Sequence, residues 1–84
     1  MNLEEIKNGL RERNFSCIVS GNQIRIQTPD PKCNLIVLLQ KDDLLVERCH
    51  PKEALWSSLY SNDEFGLDCL AEDLEKTHEI PNNL

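Results

Sequence analysis

The chain has 84 residues, 39% of them hydrophobic and 29% charged, with a formal net charge of −6 at neutral pH. A chain this short buries only about 60 to 65% of its unfolded surface, which excludes two separate cores, and the composition excludes a disordered chain. No apolar run approaches the roughly 20 residues that cross a bilayer, and the acidic start Met1-Asn2-Leu3-Glu4-Glu5 is not the basic-then-apolar order of a secretory leader, so a cytoplasmic location without membrane contact is expected.

Residues 2–13 place Leu3, Ile6 and Leu10 on one side of a helical wheel and charged residues around the rest, which predicts a short amphipathic helix. Asn2 with Glu5 three residues later fits a capping box, and Asn14 tolerates the left-handed backbone that ends helices. Phe15–Ser20 and Gln23–Thr28 flank Gly21-Asn22, a pair suited to a tight hairpin turn. Pairing across that turn sets Val19 opposite Ile24 and Cys17 opposite Ile26, giving one apolar face, and Ile18 against Arg25 on the other.

Pro29-Asp30-Pro31 interrupts the ladder, because neither proline donates a backbone hydrogen bond. The run Leu35-Ile36-Val37-Leu38-Leu39 then forms the longest apolar stretch of the chain and its central strand. Leu35, Val37 and Leu39 are expected against helices. Ile36 and Leu38 point the other way, so a homodimer is expected through them if the chain's own helices leave them uncovered. Lys41-Asp42-Asp43 turns the chain into a fourth strand, 44–49.

His50-Pro51 suits a helix start, and Leu55, Leu59, Trp56 and Tyr60 share one arc of the wheel, predicting a helix with the leucines buried and the aromatic pair toward one edge. Ser61-Asn62-Asp63 caps a second helix, with Leu67, Leu70, Ala71 and Leu74 on one stripe and an end near Lys76 to His78. The expectation is one α+β domain over residues 1–80, a four-stranded antiparallel meander packed against helices in the order α-β-β-β-β-α-α, followed by a frayed tail at 81–84.

Charge is distributed unevenly along the chain. Residues 1–61 hold eight acids and eight bases, while residues 62–84 hold seven acids and one base, so the whole net charge of −6 lies in the last segment. On the final helix Glu64, Asp68, Glu72 and Glu75 fall on one face and form an acidic ridge, which keeps a small protein soluble or meets a basic partner.

Chemistry-bearing motifs are sparse. Cys17, Cys33, Cys49 and Cys69 lack the close spacing of zinc ligands and read as structural thiols. Cys49-His50 is the one thiol beside a base, Cys49 and Cys69 are the candidate nucleophiles, and Cys49, His50, Cys69 and His78 are the residues a metal site would draw on. The three glycines are scattered, so no phosphate-cradling loop exists, and no cofactor is implied.

These features describe a small intracellular acidic protein-binding module, regulatory or inhibitory, that occludes a basic surface of a larger partner. Its expected contact residues are Trp56, Tyr60, Glu64, Asp68, Glu72 and Glu75. One alternative is a nucleic-acid mimic, a phage-type inhibitor whose acidic ridge fills the groove of a DNA- or RNA-binding enzyme; another is a small thiol-dependent enzyme. Direct binding to nucleic acid is not expected from a chain of net charge −6.

Overall fold

The computed structural model describes residues 1–76 and has seven elements: α1 (Leu3–Glu12), β1 (Cys17–Ser20), β2 (Gln23–Ile26), β3 (Asn34–Leu39), β4 (Asp43–His50), β5 (Glu53–Ser61) and α2 (Glu64–Lys76). The fold is α+β with two helices and a five-stranded antiparallel sheet whose spatial order, β1-β2-β3-β4-β5, follows the chain. The expected tail at 81–84 and His78 lie outside the described residues.

The ends of α1 follow from its sequence. The Asn2 carboxamide oxygen accepts the Glu5 backbone N–H at 2.8 Å and the Glu5 carboxylate accepts the Asn2 N–H at 3.0 Å, closing the capping box. At the other end Asn14 takes φ 72°, and the Phe15 and Asn14 N–H groups reach back to the Leu10 and Arg11 carbonyls, which satisfies carbonyls a helix end leaves orphaned. In the first hairpin Gly21 takes φ 63°, the left-handed geometry the turn needs, and the pairs Cys17↔Ile26 and Val19↔Ile24 form as expected.

The largest departure is residues 53–61. They form β5 rather than a helix, which makes the sheet five-stranded and leaves two helices in place of three. Pro51-Lys52 is a two-residue turn between the paired residues His50 and Glu53, and the His50 Nδ1 accepts the Lys52 N–H at 3.0 Å to hold it. Leu55 to Leu59 and Trp56 to Tyr60 are each four residues apart, about one helical turn but also two strand repeats, so the spacing could not choose between the two.

Both helices pack on one face of the sheet, and side-chain alternation assigns the rest. Ile24, Ile26, Leu35, Val37, Leu44, Val46 and Tyr60 point to the helices and are buried with Phe15, Ile6 and Leu10 of α1 and Leu67, Leu70 and Leu74 of α2. Val37 and Leu35 are buried as expected; Leu39, at the strand end, is half-buried. The opposite face carries Ile18, Arg25, Ile36, Leu38, Leu45, Glu47, Leu55 and Leu59, and no described helix lies on it. The expected burial of Leu55 and Leu59 is thereby reversed: they are 65% and 59% exposed.

Candidate protein-binding surface

Helix α2 starts where Asp63 caps it, its carboxylate accepting the Gly66 N–H at 2.8 Å and the Ser61 hydroxyl at 2.8 Å. Those bonds, the Gly66 N–H first, hold the Asp63 carboxyl below the usual carboxylate range. Gly66 lets the helix sit hard against the end of β5, because a Cβ there would fall 1.7 Å from the Ser61 carbonyl oxygen. The close approach sets α2 over β5 and fixes what its two shoulders face.

One shoulder faces α1. There the Arg13 guanidinium binds Glu64 Oε2 at 2.7 Å and Asp68 Oδ1 at 2.8 Å, while its third nitrogen donates to the Gly9 carbonyl at 2.8 Å. The Glu64 hydrogen bond leads the contributions that raise the pKa of Arg13. Half of the expected acidic ridge is thus tied to α1 by an arginine 51 and 55 residues away in sequence. Glu72 and Glu75 are exposed, with Lys76 3.6 Å from Glu72.

The other shoulder faces the outer side of β5. Phe65, Cys69 and Asp73, one helical turn apart, line a cleft of about 320 Å³ together with Ser58, Leu59, Tyr60, Ser61 and Gly66. Phe65 is 72% exposed, off the leucine stripe that buries α2. Leu59 also lines the cleft, from the face of β5 turned away from the helices, and Leu55 is further along that same face.

The aromatic pair lies elsewhere than expected. Both rings are on the helix-facing side of β5, not on a helix edge: Trp56 is half-buried opposite Arg48, and Tyr60 is 7% exposed opposite Leu44. The Tyr60 hydroxyl donates to Asp73 Oδ2 at 2.7 Å, and burial, followed by that bond, pushes its pKa up to about 12. Trp56, Tyr60 and the ridge are therefore not one continuous surface. Tyr60 lies at the floor of the cleft, and Glu64 and Asp68 are on the opposite shoulder of α2.

The edge of β5 is also unpaired, and the register identifies its outward groups. Asn62 donates its N–H to the Asp42 carbonyl at 3.2 Å, which makes Asp42 and Asn62 a hydrogen-bonded pair, and such pairs alternate along an antiparallel ladder. Tyr60 with Leu44 and Ser58 with Val46 are then the bonded pairs, while Ser57 and Leu59 turn their N–H and C=O groups away from β4. Nothing among the described residues bonds those outward groups.

The residues that a thiol or metal site would draw on do not converge. His50 Nε2 is 2.7 Å from Asp30 Oδ2 while Nδ1 accepts the Lys52 N–H, so both ring nitrogens are engaged and neither is left to take a proton from the adjacent thiol. Two bonds, from the Lys32 N–H first and His50 second, hold the Asp30 carboxyl low. All four cysteines are free; Cys17 and Cys33 are buried and Cys69 is half-buried, as expected of structural thiols, and Cys49 alone departs by being exposed; burial raises the Cys17 pKa. Among the described residues no three His, Cys, Asp or Glu side chains gather as metal ligands, and no helix is long and apolar enough to cross a membrane.

The helical wheel puts Leu55 and Leu59 on a buried arc, so their exposure is not legible in the sequence. Phe65 was legible: on the wheel of α2 it lies opposite Leu67 and Leu70, where an amphipathic helix has no packing reason to carry a phenylalanine. A scan against protein-family models finds no match for the chain, and neither a curated protein nor a solved structure resembles it significantly.

Proposed function

We propose that this protein is a small protein-binding module that attaches to a larger, basic-surfaced partner through the β5 side of α2, and that it acts by occluding that partner's surface. The observation that carries this reading is the position of Leu59 and Phe65. Exposed apolar side chains scattered singly need no explanation, but two large ones lining one cleft at an unpaired strand edge, Phe65 from the helix side and Leu59 from the other face of the sheet, make a contact surface. The charge around α2 supports the basic partner: residues 63–76 hold the six acids Asp63, Glu64, Asp68, Glu72, Asp73 and Glu75 against Lys76, and Arg13, just past the end of α1, is the cation added there. Of the residues first expected to bind, Glu72 and Glu75 are exposed and not bridged to Arg13, which leaves them able to steer such a partner, and Tyr60 lines the cleft.

The test is affinity capture from source cells with the parent and two variants as bait. Phe65→Ser combined with Leu59→Ser removes the apolar contact and is expected to lower affinity for the retained partner by at least about 30-fold, the effect of a hot-spot loss near 2 kcal/mol. Glu72→Lys with Glu75→Lys is expected to slow association and weaken its salt dependence while leaving the Arg13 bridges intact. A partner retained equally by all three baits contradicts the assignment.

A second reading is favoured by the open sheet face. Arg25 and Glu47 flank Ile36 on neighbouring strands, so a two-fold axis running along β3 between two stacked sheets would set Arg25 of each copy against Glu47 of the other and Ile36 against Ile36. A dimer in sedimentation that Glu47→Arg disrupts and Glu47→Arg with Arg25→Glu restores is its expected signature; a monomer at high micromolar concentration removes it.

A further inference from the structure

Resting on that reading, we infer that β5 receives an extended, basic and apolar segment of the partner as a sixth strand, laid along the edge of the sheet beneath the Phe65 shoulder of α2. Main-chain hydrogen bonds supply affinity in this mode of recognition, and pockets for alternate side chains supply specificity. Both parts are present. Ser57 and Leu59 turn N–H and C=O groups outward over an edge strand of nine residues, Glu53–Ser61, that contains no proline, lysine or arginine to block pairing.

Side chains of an incoming strand would alternate between two environments. On the helix side they meet Phe65, Cys69 and Asp73; on the other they extend the apolar row of Leu55 and Leu59. Large apolar residues suit the open side, and the Asp73 carboxylate at the cleft, within a helix of five acids and one base, favours lysine or arginine on the helix side. The same charge argues against a second copy as the occupant. Pairing β5 with its own symmetry mate would set two α2 helices, each of five acids and one base, side by side on one face of a ten-stranded sheet, with Asp73 of each on the facing shoulder.

The experiment uses the whole chain, isotope-labelled, with a synthetic nonapeptide of alternating valine and lysine and a counterpart of alternating valine and glutamate. The valine–lysine peptide is expected to slow hydrogen exchange of the Ser57 and Leu59 amides at least tenfold while leaving those of Ser58 and Tyr60, already bonded to β4, unchanged. The valine–glutamate peptide is expected to bind at least tenfold more weakly. Ser57→Pro, which removes an outward N–H and leaves the β4 ladder intact, is expected to abolish the protection of Leu59.

Failure of the valine–lysine peptide to protect these two amides up to millimolar concentration overturns strand addition, whether it binds elsewhere or nowhere. If the Phe65→Ser, Leu59→Ser bait still loses its partner in that case, the contact surface stands and only the mode of binding falls. Protection that appears without peptide and grows with protein concentration identifies a second copy as the occupant and overturns the assignment to a basic partner.

Discussion

The two edges of the sheet are built differently. β1 is four residues long, and its outward Cys17 carbonyl is taken by Arg11 Nη2 of α1 at 3.0 Å, so a short strand is closed by a side chain from its own helix. β5 is nine residues long, and no side chain among the described residues reaches its outward backbone groups at Ser57 and Leu59. Open edges invite pairing with other chains, and folded proteins usually blunt them by shortness, charge or cover. This chain shortens β1 and covers one of its outward carbonyls, although Ile18 and Val19 of β1 are exposed, whereas the longer β5 edge has neither device and lies beside the exposed Leu55, Leu59 and Phe65. The asymmetry is thus not a general property of a small sheet but a property of one edge.

The largest expected effect separates inward from outward backbone groups on β5. Ser58→Pro removes a bond to Val46 inside the ladder and is expected to cost on the order of 2 to 4 kcal/mol, whereas Ser57→Pro, one residue away, is expected to cost about 1 kcal/mol or less. Thermal melts of the two variants check this, and equal losses would mean that the outward edge is not free.

Opening the closed edge is the converse. Arg11→Ala leaves the Cys17 carbonyl without its charged donor, with an expected cost of about 1 kcal/mol and a new tendency to self-associate through β1. Urea unfolding gives the first quantity and sedimentation the second.

A smaller effect concerns the cleft floor. The folded Tyr60 pKa lies near 12, above the ordinary value of 10.0, so the folded state holds a proton that the unfolded chain releases first. By the linkage relation its contribution is fully present below about pH 10 and is lost as pH rises through about 12. Tyr60→Phe is expected to remove that alkaline slope in unfolding free energy; a slope that persists would place the titration on another group.

Much of the molecule was legible in the sequence, and the parts that were not share a cause. Local chemistry fixed α1, because Asn2, Glu5 and Asn14 bond the helix ends directly, and it fixed the Gly21-Asn22 hairpin and its register. β5 was misread because its apolar and aromatic residues recur at a spacing of four that helix and strand share, and because proline after His50 serves a turn as well as a helix start. Which period wins depends on β4, whose free edge needs a partner, and that is a tertiary fact. The acidic ridge was read from the wheel of α2, yet the pairing of Glu64 and Asp68 with Arg13 depends on how two helices distant in sequence come to lie together. Phe65 alone could have been found from the sequence.

Hydrogen exchange of the free protein, residue by residue along β5 and β1, reads how open each edge is. An open β5 edge predicts rapid exchange at Ser57 and Leu59 alternating with slow exchange at Ser58 and Tyr60, unchanged by dilution. Slow exchange at all four amides, or alternation that disappears as the protein is concentrated, would show the edge already occupied and contradict the account.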